Sequence, residues 1–202
     1  MNAVLYIHGK GGSAGESEHY KKLFPDSAVL GLDYHTFSPW ETGAEIRSEI
    51  EKLKTEYEDI ILIANSIGAF FCMNAGIDEM IQKAFFISPI VDMENLIVNM
   101  MAFANITEEE LKAKRVIRTD FGEKLSWNYL SYVRDNPVKW RAHTYILYGM
   151  CDNFTSYETV KSFAEKCEAE LTVMKNGEHW FHTDEQMEFL DEWIINSGSV
   201  LN

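Results

Sequence analysis

One stretch of the chain decides its fold: Ile60-Ile61-Leu62-Ile63-Ala64-Asn65-Ser66-Ile67-Gly68. The five apolar residues at its start are typical of a strand that is buried on both faces of a parallel sheet. Further apolar residues after Gly68 predict a helix, so Ser66 stands at the turn between a strand and a helix. We therefore take Ser66 as the first candidate for chemistry.

The same alternation of strand and helix extends along the chain in both directions. Five further apolar runs predict strands at Val4–Ile7, Ala28–Leu32, Ala84–Ile87, Thr144–Tyr148 and Leu171–Met174. Between the runs, apolar side chains recur at helical spacing, with charged residues on the opposite face. This alternation predicts an α/β fold: a doubly wound, mostly parallel six-stranded sheet with helices on both faces.

A segment of about fifty residues before the fifth predicted strand breaks this alternation. Met93–Ile106 is apolar and rich in methionine, Thr107–Glu110 has the pattern of a helix capping box, and Ser126–Asp135 predicts a third helix. We expect a single domain over residues 1–202, with a helical insertion at about 92–140 that lies over one edge of the sheet.

The composition excludes several classes of function. The chain has 202 residues, 46% of them hydrophobic, which suffices for the core of one domain. Its net charge of −14 argues against binding to nucleic acid and to anionic membrane surfaces. Three widely spaced cysteines without a C-x-x-C pair, no signal-like N-terminus and no apolar run of eighteen residues predict a cytoplasmic protein without a transmembrane helix.

Residues with catalytic potential follow four of the predicted strands. In a doubly wound sheet, the functional loops lie at the carboxyl ends of the strands. Here those loops are His8–Ser13, Ala64–Gly68, Gly149–Asp152 and Gly177–His182. A serine, an acid and a histidine therefore stand at three separate strand ends, in that order along the chain.

This arrangement resembles that of the α/β-hydrolases, and the resemblance covers essentially the whole chain. The turn that carries the nucleophile in that family reads G-x-S-x-G. The corresponding residues here are Ala64-Asn65-Ser66-Ile67-Gly68, in which alanine replaces the first glycine and meets the same demand for a small side chain. The resemblance implies an α/β-hydrolase fold, Ser66 as the nucleophile, and no metal or organic cofactor. The alternative interpretation is that Ser66 only caps the following helix.

Two histidines and three acids compete for the other catalytic roles. His179 lies immediately after the last strand, where the resemblance implies the general base. His182 precedes a capping box, and the positive end of the helix that begins there disfavours an imidazolium, so we favour His179. Asp152 follows the penultimate strand, where the resemblance implies the acid that orients the base. The alternatives for the acid are Asp92 and Asp33.

The loop after the first strand reads His8-Gly9-Lys10-Gly11-Gly12-Ser13 and matches the H-G-x-x-x-S pattern of the same family. The resemblance implies an oxyanion hole formed by the backbone N–H groups of Lys10 and Ile67. It also implies that the helical insertion is a cap. The apolar side chains of that cap either pack onto the sheet or line an acyl pocket above Ser66. The candidates for the pocket are Leu96, Met100, Met101 and Phe103.

Together these residues predict a serine hydrolase, similar to carboxylesterases and thioesterases, that cleaves an ester or thioester through an acyl-enzyme on Ser66. A small, neutral, modestly hydrophobic acyl substrate fits best, because the negative charge of the protein disfavours anions. Other interpretations stay open. A peptidase, a C–C hydrolase or an acyltransferase would use the same triad, and a ligand-binding module would keep the fold without turnover.

Overall fold

The structure is a computed structural model that describes residues 2–198. By their internal contacts, these residues divide into two compact units. The first unit contains the residues up to Val91 and those from Lys139 onward, and the second unit is Asp92–Val138. In the described part of the chain, no helix is both long enough and apolar enough to cross a membrane.

Strands and helices alternate through the first unit as the sequence predicts. Residues 2–198 form the strands β1 (Asn2–Ile7), β2 (Ser27–Leu32), β3 (Ile60–Asn65), β4 (Lys83–Ile87), β5 (Val116–Arg118), β6 (Lys124–Ser126), β7 (Thr144–Gly149) and β8 (Glu170–Met174). The helices are α1 (Pro39–Leu53), α2 (Ile67–Asn74), α3 (Met93–Phe103), α4 (Glu108–Lys114), α5 (Trp127–Asp135), α6 (Tyr157–Cys167) and α7 (Asp184–Gly198), and a 3₁₀ helix spans Ala14–Lys22.

Six of the strands form one sheet in the order β2-β1-β3-β4-β7-β8, and every neighbouring pair is parallel. The prediction of a doubly wound, six-stranded α/β sheet is confirmed, and the sheet is parallel throughout. The chain passes from β1 to β2 on one side and later places β3 on the other side of β1. A crevice is expected where the strand order reverses in this way, at the carboxyl ends of β1 and β3.

Burial explains why the strands take this order. The inner strands β1, β3, β4 and β7 are almost entirely buried, whereas β2 and β8 are partly exposed and lie at the edges. In the centre of the sheet, the ring of Phe85 stacks on Tyr145 with centroids 5.2 Å apart. Trp193 of α7 meets Phe85 edge-on at 5.5 Å. Helix α7 therefore covers one face of the central strands.

Serine side chains begin the helices that precede β3 and β8. Ser38 Oγ accepts a hydrogen bond from the Glu41 N–H at 3.3 Å, and Ser156 Oγ accepts one from the Thr159 N–H at 3.2 Å. These bonds satisfy N–H groups of the first helical turn, which have no partner inside the helix. Helices α1 and α6 therefore each begin directly after a capping serine.

The second unit contains the three predicted helices and a hairpin that the sequence interpretation missed. Strands β5 and β6 pair antiparallel and are only three residues long, too short to leave a periodic pattern. Arg134 of α5 joins the other two helices, because it donates to Glu94 and to Glu108, at 2.7 Å in each case. Whether this unit is a cap stays a prediction.

Candidate active site

Ser66 lies at the turn from β3 into α2 in a backbone conformation that side chains rarely adopt. Its φ is 53° and its ψ is −119°. Backbone hydrogen bonds hold it there, because its N–H donates to the Ile87 carbonyl at 2.9 Å and its carbonyl accepts from the Ala69 and Ile90 N–H groups, both at 3.2 Å. A strained residue persists where the surrounding structure fixes it in this way.

Close packing around this turn explains its small residues. A Cβ on Gly68 would lie 2.5 Å from the His8 carbonyl oxygen, and a Cβ on Gly9 would lie 3.2 Å from the Cβ of Ser66. The loop after β1 is therefore pressed against the turn that carries the serine. Ala64 is fully buried inside the extended strand β3, where glycine's freedom of conformation is not required.

The structure brings Ser66, His179 and Asp152 into one line of hydrogen bonds. The Ser66 hydroxyl lies 2.7 Å from Nε2 of His179. On the other side of the imidazole, Nδ1 lies 2.6 Å from Oδ2 of Asp152. A carboxylate accepts from the Nδ1–H, so Nε2 is left to accept the serine proton. This is the arrangement that a serine nucleophile needs.

The side chain of Asp152 is fully buried, and its other carboxylate oxygen is also satisfied. The side chain has 0% exposure. Oδ1 accepts hydrogen bonds from the Phe154 N–H at 2.7 Å and the Thr155 N–H at 3.2 Å. Such a turn over the aspartate side chain fixes the carboxylate before any ligand arrives. Burial, together with the negative charge of Asp152, raises the pKa of Tyr148, whose hydroxyl donates to the Thr155 carbonyl at 2.8 Å.

Two glycines bring Asp152 and His179 together. A Cβ on Gly149, at the end of β7, would lie 2.4 Å from the carbonyl oxygen of Gly177, which follows β8. The Cys151 N–H donates to that same carbonyl at 2.8 Å. Because the backbones of the two loops touch here, Asp152, three residues after Gly149, and His179, two residues after Gly177, come within hydrogen-bond distance.

The competing residues have local partners instead. His182 Nδ1 lies 2.7 Å from the Trp180 carbonyl, and its ring stacks on the Trp180 ring with centroids 4.5 Å apart. Asp92 begins α3 and accepts from the Asn95 N–H at 2.9 Å. Asp33 accepts from the Ala14 N–H at 2.7 Å. These roles are structural ones within helix starts and loops.

The predicted oxyanion loop is held by an aromatic contact. His8 is 5% exposed and stacks on Tyr34 with ring centroids 4.2 Å apart. The Tyr34 hydroxyl donates to the His8 carbonyl at 3.0 Å, and burial raises the pKa of that hydroxyl. Lys10 follows in this loop, and Ile67 is the first residue of α2, where backbone N–H groups point out of the helix. Their role as oxyanion donors stays a prediction.

The predicted pocket residues all lie on α3 in the second unit. Met101 is buried, Leu96 and Met100 are half-buried, and Phe103 is 75% exposed beside Phe121. Their contact with a substrate stays a prediction.

Two aromatic residues near His179 differ from what the sequence interpretation expected. As adjacent aromatic residues, Trp180 and Phe181 are both expected in the core. Phe181 is buried there, but Trp180 is 66% exposed, so the expectation is wrong for Trp180. Phe154 received no role, yet its ring packs against the His179 imidazole with centroids 4.7 Å apart. An aspartate two residues before an aromatic residue in a predicted loop was the available signal, because such aspartates form turns. Within residues 2–198, no three His, Cys, Asp or Glu side chains converge as metal ligands would.

Solved structures that resemble this chain include esterases and other hydrolases. Est1E from Butyrivibrio proteoclasticus has a TM-score of 0.82 at 18% identity, over 98% of this chain and 87% of that one. Alpha/beta hydrolase domain-containing protein 10 from mouse has a TM-score of 0.78 at 15% identity, over 99% and 90% of the two chains. The Pyrococcus furiosus esterase Pf2001 has a TM-score of 0.57 at 19% identity, over 96% and 83%.

The chain has the α/β-hydrolase fold. No family model matches the sequence, and no curated protein matches it. At identities below 20%, the likeness establishes how the α/β-hydrolase sheet and its loops are arranged. What the site does must then be argued from the site itself.

Proposed function

We propose that this protein is a serine hydrolase that cleaves a carboxylic ester or thioester through an acyl-enzyme on Ser66. The observation that carries the proposal is the pair of hydrogen bonds across His179, 2.7 Å to the Ser66 hydroxyl and 2.6 Å to the Asp152 carboxylate. A serine hydroxyl alone is nearly inert at neutral pH, and this pair supplies both a base and the group that orients it.

In the proposed reaction, Nε2 of His179 takes the Ser66 proton as Oγ attacks the acyl carbon. The Asp152 carboxylate stabilises the imidazolium that forms. The backbone N–H groups of Lys10 and Ile67 hold the oxyanion; each such donor typically lowers the barrier by about 3 kcal/mol. The imidazolium then returns the proton to the leaving alcohol or thiol. Water, activated by the same histidine, hydrolyses the acyl-enzyme and restores the free serine.

The proposed substrate is small, neutral and modestly hydrophobic. A solved structure of Est1E holds ferulic acid, which supports a small acyl group here as well. We keep the half-buried Leu96 and Met100, the buried Met101 and the exposed Phe103 as candidate contacts of that group. These contacts are tested by measuring how ester hydrolysis by Met100→Ala depends on acyl chain length, with Val98→Ala on the same helix as the control. A cytoplasmic location belongs to the same proposal, and all three cysteines are free thiols.

A fluorophosphonate probe tests the function directly, because it reacts preferentially with an activated serine. We expect one label per chain, on Ser66, and loss of both labelling and ester hydrolysis in Ser66→Ala, by about 10⁵-fold or more in kcat. Ser38→Ala is the matched control, since Ser38 only begins a helix. A folded protein that stays unlabelled, or a Ser66→Ala variant that still hydrolyses esters, would overturn the proposal.

A further inference from the structure

The ring of Phe154 covers the imidazole of His179 but is itself open to solvent. The two ring centroids are 4.7 Å apart and the planes are tilted by 53°. Nevertheless, 58% of Phe154 is exposed. A large apolar side chain in the core would be buried, so packing of the core does not account for the position of this ring.

Asp152 fixes the position of Phe154. One oxygen of the buried carboxylate accepts from the Phe154 N–H at 2.7 Å, and the other is 2.6 Å from Nδ1 of His179. A single side chain therefore sets the backbone of the phenylalanine and the orientation of the imidazole. The apolar surface is held in place beside the candidate base, as a preorganised binding surface requires.

The chemistry of the proposed reaction identifies what this surface would touch. When the acyl-enzyme forms, the bond from Ser66 Oγ to the acyl carbon is made and the bond from that carbon to the leaving oxygen is broken. The leaving oxygen takes its proton from Nε2 of His179, so it must come within hydrogen-bond distance of that atom. A ring packed on the same imidazole borders the space through which the leaving group departs.

We propose that Phe154 is a specificity-determining residue that selects esters whose leaving alcohol carries a neutral apolar or aromatic group. This inference rests on the proposed function and narrows its substrate class. Contact with the exposed ring removes apolar surface of both partners from water. The net charge of −14 acts in the same direction, because it disfavours anionic leaving groups.

The test compares butyrate esters of methanol, n-butanol and benzyl alcohol, which share one acyl group and differ in the leaving alcohol. In the wild-type protein we expect kcat/KM to rise from methyl to n-butyl to benzyl ester. Phe154→Ala should lower kcat/KM about five- to tenfold for the benzyl ester, less for the n-butyl ester and least for the methyl ester. Phe154→Leu should keep most of the activity on the n-butyl ester.

Trp180→Ala is the matched control. Trp180 is also exposed and follows His179 directly, but its ring stacks on His182 instead of the candidate base. We expect this variant to keep the benzyl-to-methyl ratio of kcat/KM within about twofold of wild type.

The inference is overturned if Phe154→Ala slows all three esters equally, since the ring would then only support the imidazole. An unchanged ratio, or the same loss in Trp180→Ala, overturns it as well. These outcomes leave the proposed function intact as long as hydrolysis still depends on Ser66. Hydrolysis that survives Ser66→Ala overturns the proposed function instead.

Discussion

The parallel sheet has a carboxyl edge, where its strands end, and an amino edge, where they begin. Both carry a histidine beside an acid, but the two pairs differ in the distance between their side chains and in their exposure. At the carboxyl edge, His179 and Asp152 are 2.6 Å apart, with side chains 17% and 0% exposed. At the amino edge, His143 and Glu170 are 3.4 Å apart, with side chains 52% and 65% exposed. Water competes for the second pair and is excluded from the acid of the first.

The difference between the two pairs follows from how the chain is folded at each edge of the sheet. At the carboxyl edge, β3 enters α2 through a strained turn, and the loops after β7 and β8 touch at Gly149 and Gly177. Ser66, Asp152 and His179 therefore converge from the ends of three strands. At the amino edge, Lys83 lies 3% exposed with its Nζ 5.4 Å from the centre of the Phe85 ring. Lys83 is therefore packed into the molecule while His143 and Glu170 lie open to water, and the three side chains do not form a relay.

Replacing the acid of each pair with its amide should give the largest difference in kcat between the two pairs. Asp152→Asn keeps the shape of the side chain but removes the charge that orients His179, so we expect kcat for ester hydrolysis to fall by about 10⁴-fold. Glu170→Gln makes the matching change at the amino edge and should leave kcat within about twofold. Steady-state kinetics on one ester would measure both, and similar losses in the two variants would contradict the comparison.

Two glycine substitutions test how closely the backbone is packed at the carboxyl edge of the sheet, compared with an ordinary helix. Gly68→Ala places a Cβ 2.5 Å from the His8 carbonyl oxygen, so it should lower the free energy of unfolding by about 1–3 kcal/mol. Gly43→Ala, in the middle of α1, meets its nearest atoms at 3.4 Å and should be neutral or stabilise by up to about 1 kcal/mol. Chemical denaturation would decide; equal stability of the two variants would show that the turn relaxes freely.

The smallest effect is expected at the amino edge, as a dependence of stability on pH. Burial lowers the pKa of Lys83 below the ordinary value of 10.5, so the folded state disfavours its charge. At pH values below the lowered pKa, the folded state bears the full cost of burying the charged amine. As pH rises from there to 10.5, the folded protein loses this proton while the unfolded chain still holds it, and the cost disappears. Lys83→Met should raise Tm by no more than about 2–4 °C at pH 7, and by less towards pH 10.5.

Thermal denaturation of Lys83→Met between pH 7 and 10.5 measures this change. Lys175→Met is the control, since Lys175 is exposed and its charge is solvated in both states. A difference between Lys83→Met and wild type that stays constant over this pH range would contradict a burial cost at Lys83.

Strong local patterns made the sheet predictable from the sequence. Each inner strand is a short run of apolar residues, and burial on both faces leaves the same pattern wherever it occurs. The hairpin β5–β6 was not predictable, because strands of three residues leave no period to detect. Ser66, Asp152 and His179 could be placed at the right strand ends, since topology brings such ends to one edge.

The side chains around the candidate site were harder to predict, because their positions depend on contacts between distant residues. Trp180 and Phe181 are adjacent aromatic residues, yet one is exposed and the other buried. No local pattern distinguishes them, since β8 has ended and α7 has not begun. The ring of Phe154 reaches His179 only because Asp152 folds the loop back on itself.

The strained backbone at Ser66, which the proposed activity requires, lowers the stability of the fold. A residue other than glycine at φ 53° destabilises the fold by about 1 kcal/mol or more relative to glycine. Ser66→Gly would relieve that strain and at the same time remove the proposed nucleophile. The Ser66→Gly chain should then outlast the wild-type chain on heating, so folding alone exerts no selection to keep this serine. Only a requirement for its chemistry would retain it.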